Sequence, residues 1–386
     1  MIRLQPLFAQ AIDDEMQLPA AGPAATSPPH RGERAPTWCP FDGLPRAHGE
    51  PVIRCRLRAE PADFVVEEIL AFGPDGDGEH RLLKVRKTDC NTDWAARRIA
   101  ALAGVPHQVV GYAGLKDRRA VTTQWFSVHL GRRAEPDWSM LVTDGIEVLE
   151  SHPHRRKLRR GVLAGNHFDL LLRDVDGDWD ALERRVAAIA DLGVPNYFGP
   201  QRFGREQNNL RRAAAMLGGA SAEDDRGRRA DRHLRGLYLS AARSQLFNEV
   251  LAVRVERGDW HSALPGERLQ LRGSHSHFLA EAIDTRIFER VASGDAQPTG
   301  PLFGAGEPLT VGEVARLEAD IAAPFAAWQR GLAAAGLKQE RRPLALHPEE
   351  LKLSRPTDGQ ARLRFSLPAG SYATALLREL AVWAEG

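Results

Sequence analysis

Gly111-Tyr112-Ala113-Gly114-Leu115-Lys116-Asp117-Arg118-Arg119-Ala120-Val121-Thr122-Thr123-Gln124 is the stretch on which the reading turns. His107 to Tyr112 and Thr122 to Leu130 read as strands, since Phe126, Val128 and Leu130 alternate with polar neighbours. Between them lies a glycine-bounded loop holding one carboxylate among three cations. Coulomb attraction from those cations favours the charged form of Asp117. An ionised carboxylate fixed on a strand connection can act as a nucleophile or a base. A solvated hairpin tip with weak local ion pairs explains the same composition, and on charge alone it is the better explanation.

Working outward, Val52 to Leu57, Asp63 to Ile69 and His80 to Val85 are short β-prone runs. A helix follows, capped by Thr92 or Asn91, with an apolar stripe of Trp94, Ile99 and Leu102 and an end at Gly104 and Pro106. Ile146 to Leu149 and Phe168 to Leu172 are further strands. Asp178 opens a helix whose Trp179, Leu182, Val186, Ile189 and Leu192 share one face, closed by Gly193 and Pro195. Residues 206–218, 233–257 and 311–335 are helical in pattern, and 219–232 is a charged loop. Arg362 to Leu367 is a strand, with a capped helix from Ser371. The expected architecture is one sheet domain built from 51–192 and 347–386, with a second domain, 193–346, inserted into it. Residues 1–50 hold eight of the 25 prolines and read as a flexible leader, pinned at Phe8 or Trp38.

Composition narrows the function. Lys plus Arg is 52 and Asp plus Glu is 51 in 386 residues, a net charge of +1, so a wholly basic nucleic-acid binder is excluded and any such contact must be local. Cys39, Cys55 and Cys90 form neither a disulfide framework nor a CxxC pair, which points to reduced thiols and the cytoplasm. No apolar run is long enough to span a membrane, and the first residues lack a secretory pattern. There is no GxxxxGK[ST], no GxGxxG after a strand and no GxSxG. The acidic turns at 75–79 and 174–178 lack the glycine and glutamate of a calcium loop. His152 and His154, or His275 and His277, have no partner at ligand spacing, so no metal is expected.

Two other stretches carry chemistry. His154-Arg155-Arg156-Lys157-Leu158-Arg159-Arg160 places five cations in seven residues, either a solvated loop or a grip on several phosphates. Near it, Asn166 and Phe168 offer an amide and a ring suited to an extruded base. Pro195 to Gly204 (PNYFGPQRFG) is aromatic, glycine-rich and without helix signals. Its Arg202 among rings suits single-stranded RNA and a packed interdomain hinge equally.

Taken in order, these motifs resemble the TruD-type transfer-RNA pseudouridine synthases over about residues 55–383. The resemblance includes Pro61-Ala62-Asp63-Phe64-Val65-Val66-Glu67-Glu68, Cys90-Asn91-Thr92, Ala113 to Thr122, Arg155 to Arg159, Gly165-Asn166, the stretch from Pro195, Leu239 to Ser244, and Leu367 to Thr374. It implies an α+β fold: a pseudouridine synthase catalytic domain with a mixed, mainly antiparallel sheet, plus an inserted α/β TRUD domain. It implies isomerisation of uridine, at position 13 of transfer RNA, with no cofactor and no metal, by a monomer.

By the same resemblance Asp117 is the catalytic residue. Phe64, Asn166, Tyr372, Arg58 and Lys116 bind the substrate nucleoside, and Arg155, Arg156, Lys157, Arg159 and Arg202 bind RNA. Tyr372 stands where other members often carry Phe, and the leader departs from the family. Phe64 and Tyr372 are expected to stack on the base, and Asp117 to sit in a ring-lined cleft. Attack on C1′ and removal of the C2′ proton both remain open. A non-catalytic RNA-binding module using the same surface predicts no pseudouridine, and a protein-binding scaffold predicts no salt-dependent RNA affinity.

Overall fold

A computed structural model describes residues 37–218 and 232–386; Phe8 and nearly all of 219–232 lie outside them. The chain lays down β1 (Ile53–Leu57), β2 (Phe64–Leu70), β3 (His80–Thr88), α1 (Thr92–Leu102), β4 (Val110–Tyr112), β5 (Val121–His129), β6 (Ile146–His154), β7 (Leu163–Gly177) and α2 (Trp179–Leu192). Period-two patterning sets the strand faces. In β1, Ile53, Cys55 and Leu57 are buried while Arg54 and Arg56 are exposed. Asp178 caps α2 by accepting from the Ala181 N–H at 3.1 Å, and Leu182, Val186 and Ile189 form its buried stripe.

The chain then builds β8 (Val194–Pro195), α3 (Pro200–Phe203), α4 (Asn208–Leu217), α5 (Arg232–Glu256), β9 (Glu267–Leu271), β10 (His277–Ala280), α6 (Thr285–Ala292), β11 (Ala296–Leu302), α7 (Gly312–Ala322), α8 (Ala326–Ala334), β12 (Glu340–Pro343) and β13 (Ala345–Leu346). It ends with β14 (Glu349–Ser354), β15 (Ala361–Pro368), α9 (Ala373–Leu377) and β16 (Ala381–Glu385).

The large sheet runs β14-β15-β7-β2-β5-β3-β6. Strand β2 pairs with β5 in parallel, and the other neighbours along this path are antiparallel. Strand β1 bridges β7 and the parallel β16, and β4 hangs on β5. It is thus a mixed, mainly antiparallel sheet drawn from both ends of the described chain. A smaller sheet runs β10-β9-β11-β12. Strands β8 and β13 pair with each other as a separate two-stranded ladder, Val194 opposite Leu346 and Pro195 opposite Ala345, so the segments that leave the large sheet after β7 and return to it at β14 run side by side.

Several expectations need correction. Residues 37–50 are not a free leader: Phe41 and Leu44 are buried in the core that holds Tyr197, Phe247 and Trp328, and Trp38 packs against it. Trp38 Nε1 donates to Gln207 Oε1 at 2.8 Å, and the buried Arg378 donates to the Pro45 carbonyl at 3.0 Å. Trp94 is 41% exposed; α1 buries Ala95, Ala96, Ile99 and Ala100 instead, because alanines let it lie close to the sheet. The segment 311–335 breaks at Pro324, whose missing N–H separates α7 from α8. The stretch 195–204 is not helix-free, since Pro200 opens α3.

Candidate active site

Loop 113–119 joins β4 to β5, and hydrogen bonds and ion pairs, several of them to buried side chains, fasten most of its residues. The Ala113 carbonyl accepts from the Gly161 N–H at 2.8 Å, and the Gly114 carbonyl accepts from Gln124 Nε2 at 3.2 Å. The Lys116 N–H donates to Thr92 Oγ1 at 3.0 Å, and that hydroxyl donates to Gln124 Oε1 at 2.9 Å. Lys87 Nζ, fully buried, donates to the carbonyls of Cys90 (2.5 Å) and Asp117 (3.1 Å). Burial pushes its ammonium down to about pKa 8, because desolvation opposes the charge.

Lys116 corrects one expectation. Its ammonium turns under the loop to Glu68 Oε2 at 2.6 Å and its side chain is 7% exposed, so here it holds the loop rather than standing open to solvent. Arg118 pairs with Asp89 at 3.4 Å, and Arg119 donates to the Ala59 and Gly386 carbonyls.

Asp117 itself stands out from the loop, its side chain 43% exposed. Arg58 Nη2 donates to its Oδ2 at 2.7 Å. Arg58 follows the end of β1 with φ 56°, a left-handed conformation that non-glycine residues rarely adopt. The guanidinium lies 3.9 Å over the Phe64 ring. Asp117 is thus partly open to solvent rather than enclosed in a cleft as expected, and the nearest ring described for its surroundings, Phe64, lies beneath its partner Arg58. Phe64 is 3% exposed, beneath Arg58 and edge-on to Phe168 (6.3 Å), so it offers no open face to a base here. It supports the guanidinium instead, a cation–π contact.

The strand register places the remaining groups. Lys87, Thr122, Val66, Phe168 and Phe365 lie in one row across β3, β5, β2, β7 and β15. Asn166, two residues from Phe168 and on the same face, lies between Glu68 and Leu367. The buried Oδ1 of Asn166 and Oγ1 of Thr122 have no hydrogen-bond partner. A buried unsatisfied oxygen costs about 1–3 kcal/mol, so each of these atoms has capacity for one more hydrogen bond. Phe168 stacks on Phe365 at 5.2 Å and is buried.

Tyr372 forms a second group. Its hydroxyl accepts from Arg202 Nε at 3.0 Å, and its ring lies edge-on to Phe198 at 6.0 Å. Arg202 also donates to Ser240 Oγ at 3.0 Å, so it ties α3 to α5 and to the start of α9. Gly199 is required there: a Cβ would lie 2.5 Å from Thr374 Oγ1 and 3.0 Å from the Tyr372 ring.

The basic strap 154–161 lies along β4. Leu158 is buried and its N–H donates to Ser127 Oγ at 2.8 Å. A Cβ on Gly111 would lie 2.5 Å from the Leu158 carbonyl, so glycine permits the approach. Arg156 and Arg159 are exposed. Arg155 is exposed too, but Asp77 binds it bidentately at 2.7 and 3.0 Å, and Lys157 donates to the Gln108 carbonyl.

Residues 46–224 and 226–380 match the family described as tRNA pseudouridine synthase D (TruD). The chain belongs to that family. It is 50% identical to the tRNA pseudouridine synthase D of Methylococcus capsulatus over 343 residues, 89% of this chain and 95% of the relative. It is 49% identical to that of Aeromonas salmonicida, covering 88% and 94%. The crystal structure of a TruD protein from Methanosarcina mazei shares the fold, with a TM-score of 0.67 at 22% identity over 88% of this chain and 96% of that one.

Sequence reasoning did not single out Lys87, and it quoted Thr92, Gln124 and Glu68 without assigning them the task of fixing the TruD loop. One signal was present. Lys87 follows Val85, and Glu68 follows Phe64 and Val66, at the inward positions of their strands, where an unpaired charge is too costly to bury. Among the described residues, no cluster of His, Cys, Asp or Glu could hold a metal ion.

Proposed function

We propose that the chain isomerises uridine 13 of transfer RNA to pseudouridine, with Asp117 as the reacting carboxylate and no cofactor. The reaction breaks N1–C1′ and joins C1′ to C5; C5 loses a proton and N1 gains one. Substrate and product are isomers, so neither an oxidant nor a group donor is consumed. The observation that carries the reading is the ion pair of Arg58 with Asp117 at 2.7 Å, on a loop fastened from below by Lys87 and Lys116. Arg58 occupies Oδ2 and leaves Oδ1 to attack C1′ or to take the C2′ proton; the geometry favours neither. The open side of Asp117 is the route for a base swung out of its stack. The unpartnered Asn166 Oδ1 suits the uracil N3–H, and Arg156 and Arg159 suit phosphates. Residues 193–346, bounded by the β8–β13 ladder, are the inserted TRUD domain, and Tyr372 meets its Arg202.

Chemical mapping of pseudouridine in transfer RNA tests this. Asp117→Asn and Asp117→Ala should lower turnover on the order of 10⁴-fold, while RNA affinity stays within about threefold. Near-normal turnover by the Ala variant would remove Asp117 from the chemistry.

A further inference from the structure

One side chain of the loop is apolar and largely exposed. Ala113, Gly114, Lys116 and Asp117 are each held by hydrogen bonds to neighbouring elements, and Arg118 and Arg119 are held by Asp89 and by backbone carbonyls. Leu115, in the middle, is 64% exposed. A single exposed leucine is ordinary on a protein surface. This one is distinguished by its mounting. The loop on both sides of it is fastened by buried Lys87, Glu68, Thr92 and Gln124, and the side chain stands two residues from the carboxylate proposed to react.

We propose that Leu115 is a wedge that enters the RNA stack as the target uridine swings out toward Asp117; this rests on the reading given above. Extruding a base opens an apolar gap between the two bases that flanked it. A branched aliphatic side chain fills such a gap and keeps water out, and apolar wedges between base steps are a general means of deforming nucleic acid. Leucine makes no hydrogen bond to a base edge, so the wedge works whatever nucleotides flank the target. The fastened loop also means that insertion orders little that is not already ordered, which lowers the entropic cost. The wedge and the carboxylate are then two points on one rigid support, so the same approach of the RNA that brings C1′ to Asp117 drives Leu115 into the vacated space.

The test uses the full chain and an RNA stem–loop carrying 2-aminopurine beside the target uridine, whose fluorescence rises on unstacking. Wild type and Asp117→Asn should both give the full rise, the latter without product. Leu115→Ala should bind within about threefold but lose most of the rise, with kcat down about tenfold and KM changed less. Leu115→Met should recover most of the rise and of kcat. The deficit of Leu115→Ala should narrow on an RNA whose target uridine is already unpaired. A full rise and wild-type kcat from Leu115→Ala would overturn the wedge and leave the role of Asp117 standing. Normal turnover by Asp117→Ala would instead overturn the role of Asp117, whatever Leu115 does.

Discussion

Loop 113–119 and strap 154–161 lie side by side along β4, and both are rich in Lys and Arg. They use charge in opposite ways. The loop sends Lys116 inward to Glu68 and is underpinned by Lys87, so its cations fix backbone position. The strap is fixed by an apolar peg, Leu158, and by backbone contacts, while Arg156 and Arg159 stay in water. Buried charge needs a partner and good geometry, and it then specifies one arrangement; exposed charge contributes little to stability but remains available to a phosphate. Under the proposed function, the chain separates positioning the reacting carboxylate from gripping RNA, although the two segments have similar compositions.

The largest effect should come from breaking the inward pair. Lys116→Ala leaves the Glu68 carboxylate buried without its cation, which should destabilise the fold by about 3–5 kcal/mol in urea unfolding. The paired change Lys116→Met with Glu68→Gln should recover most of that loss, because no uncompensated charge remains. A single variant as stable as wild type would mean the loop is not held from below, and the contrast with the strap would disappear.

The strap sharpens the comparison at a smaller scale. Arg156→Ala with Arg159→Ala should weaken transfer-RNA binding about tenfold and flatten its salt dependence, by roughly 0.7–0.9 in slope per lost phosphate contact. Arg155→Ala should change the slope less, because Asp77 already neutralises that guanidinium. Asp77→Ala, which frees Arg155, should steepen it. Equal slopes for all these variants would reduce the strap to a solvated loop.

The difference between loop and strap also explains what the sequence discloses. Apolar periodicity announces faces, so the stripe Leu182, Val186 and Ile189 and the strands of the large sheet were legible from residue order. Asp117 was legible as a lone carboxylate among cations, and the motif order carried the family. Direction was not legible. Lys116 and Arg155 look alike in the sequence, yet one is buried on Glu68 and the other exposed on Asp77, because their partners lie 48 and 78 residues away. Trp94 looked like core and is exposed, since small residues decide how close a helix can come. Strands β9 to β12 leave no clear trace in residue order; they are short, and β11 carries Pro298 and Pro301, which blurs any period-two signal. The ordered segment 37–50 was hidden by its prolines, since its order comes from Arg378, more than 330 residues on.

Lys87 gives the smallest effect and the finest check on the idea that buried charge positions the loop. Its folded pKa is depressed from 10.5 to about 8 because burial removes water from the ammonium. Below pH 8 the group is protonated in both the folded and the unfolded chain, and folding bears the full desolvation cost. Between about pH 8 and 10.5 the folded chain has lost the proton while the unfolded chain still binds it, so this group makes stability rise with pH. From pH 7.5 to 9.0 the gain should be about 1 kcal/mol. It should be read as the difference between wild type and Lys87→Met in urea midpoints at the two pH values, since other groups titrate in both proteins alike. Lys87→Met gives up the hydrogen bonds to the Cys90 and Asp117 carbonyls but carries no charge to desolvate, so its deficit relative to wild type should widen as pH rises. A deficit that is constant with pH would mean that water reaches the ammonium, and that the loop is held by hydrogen bonds without any buried charge at this point.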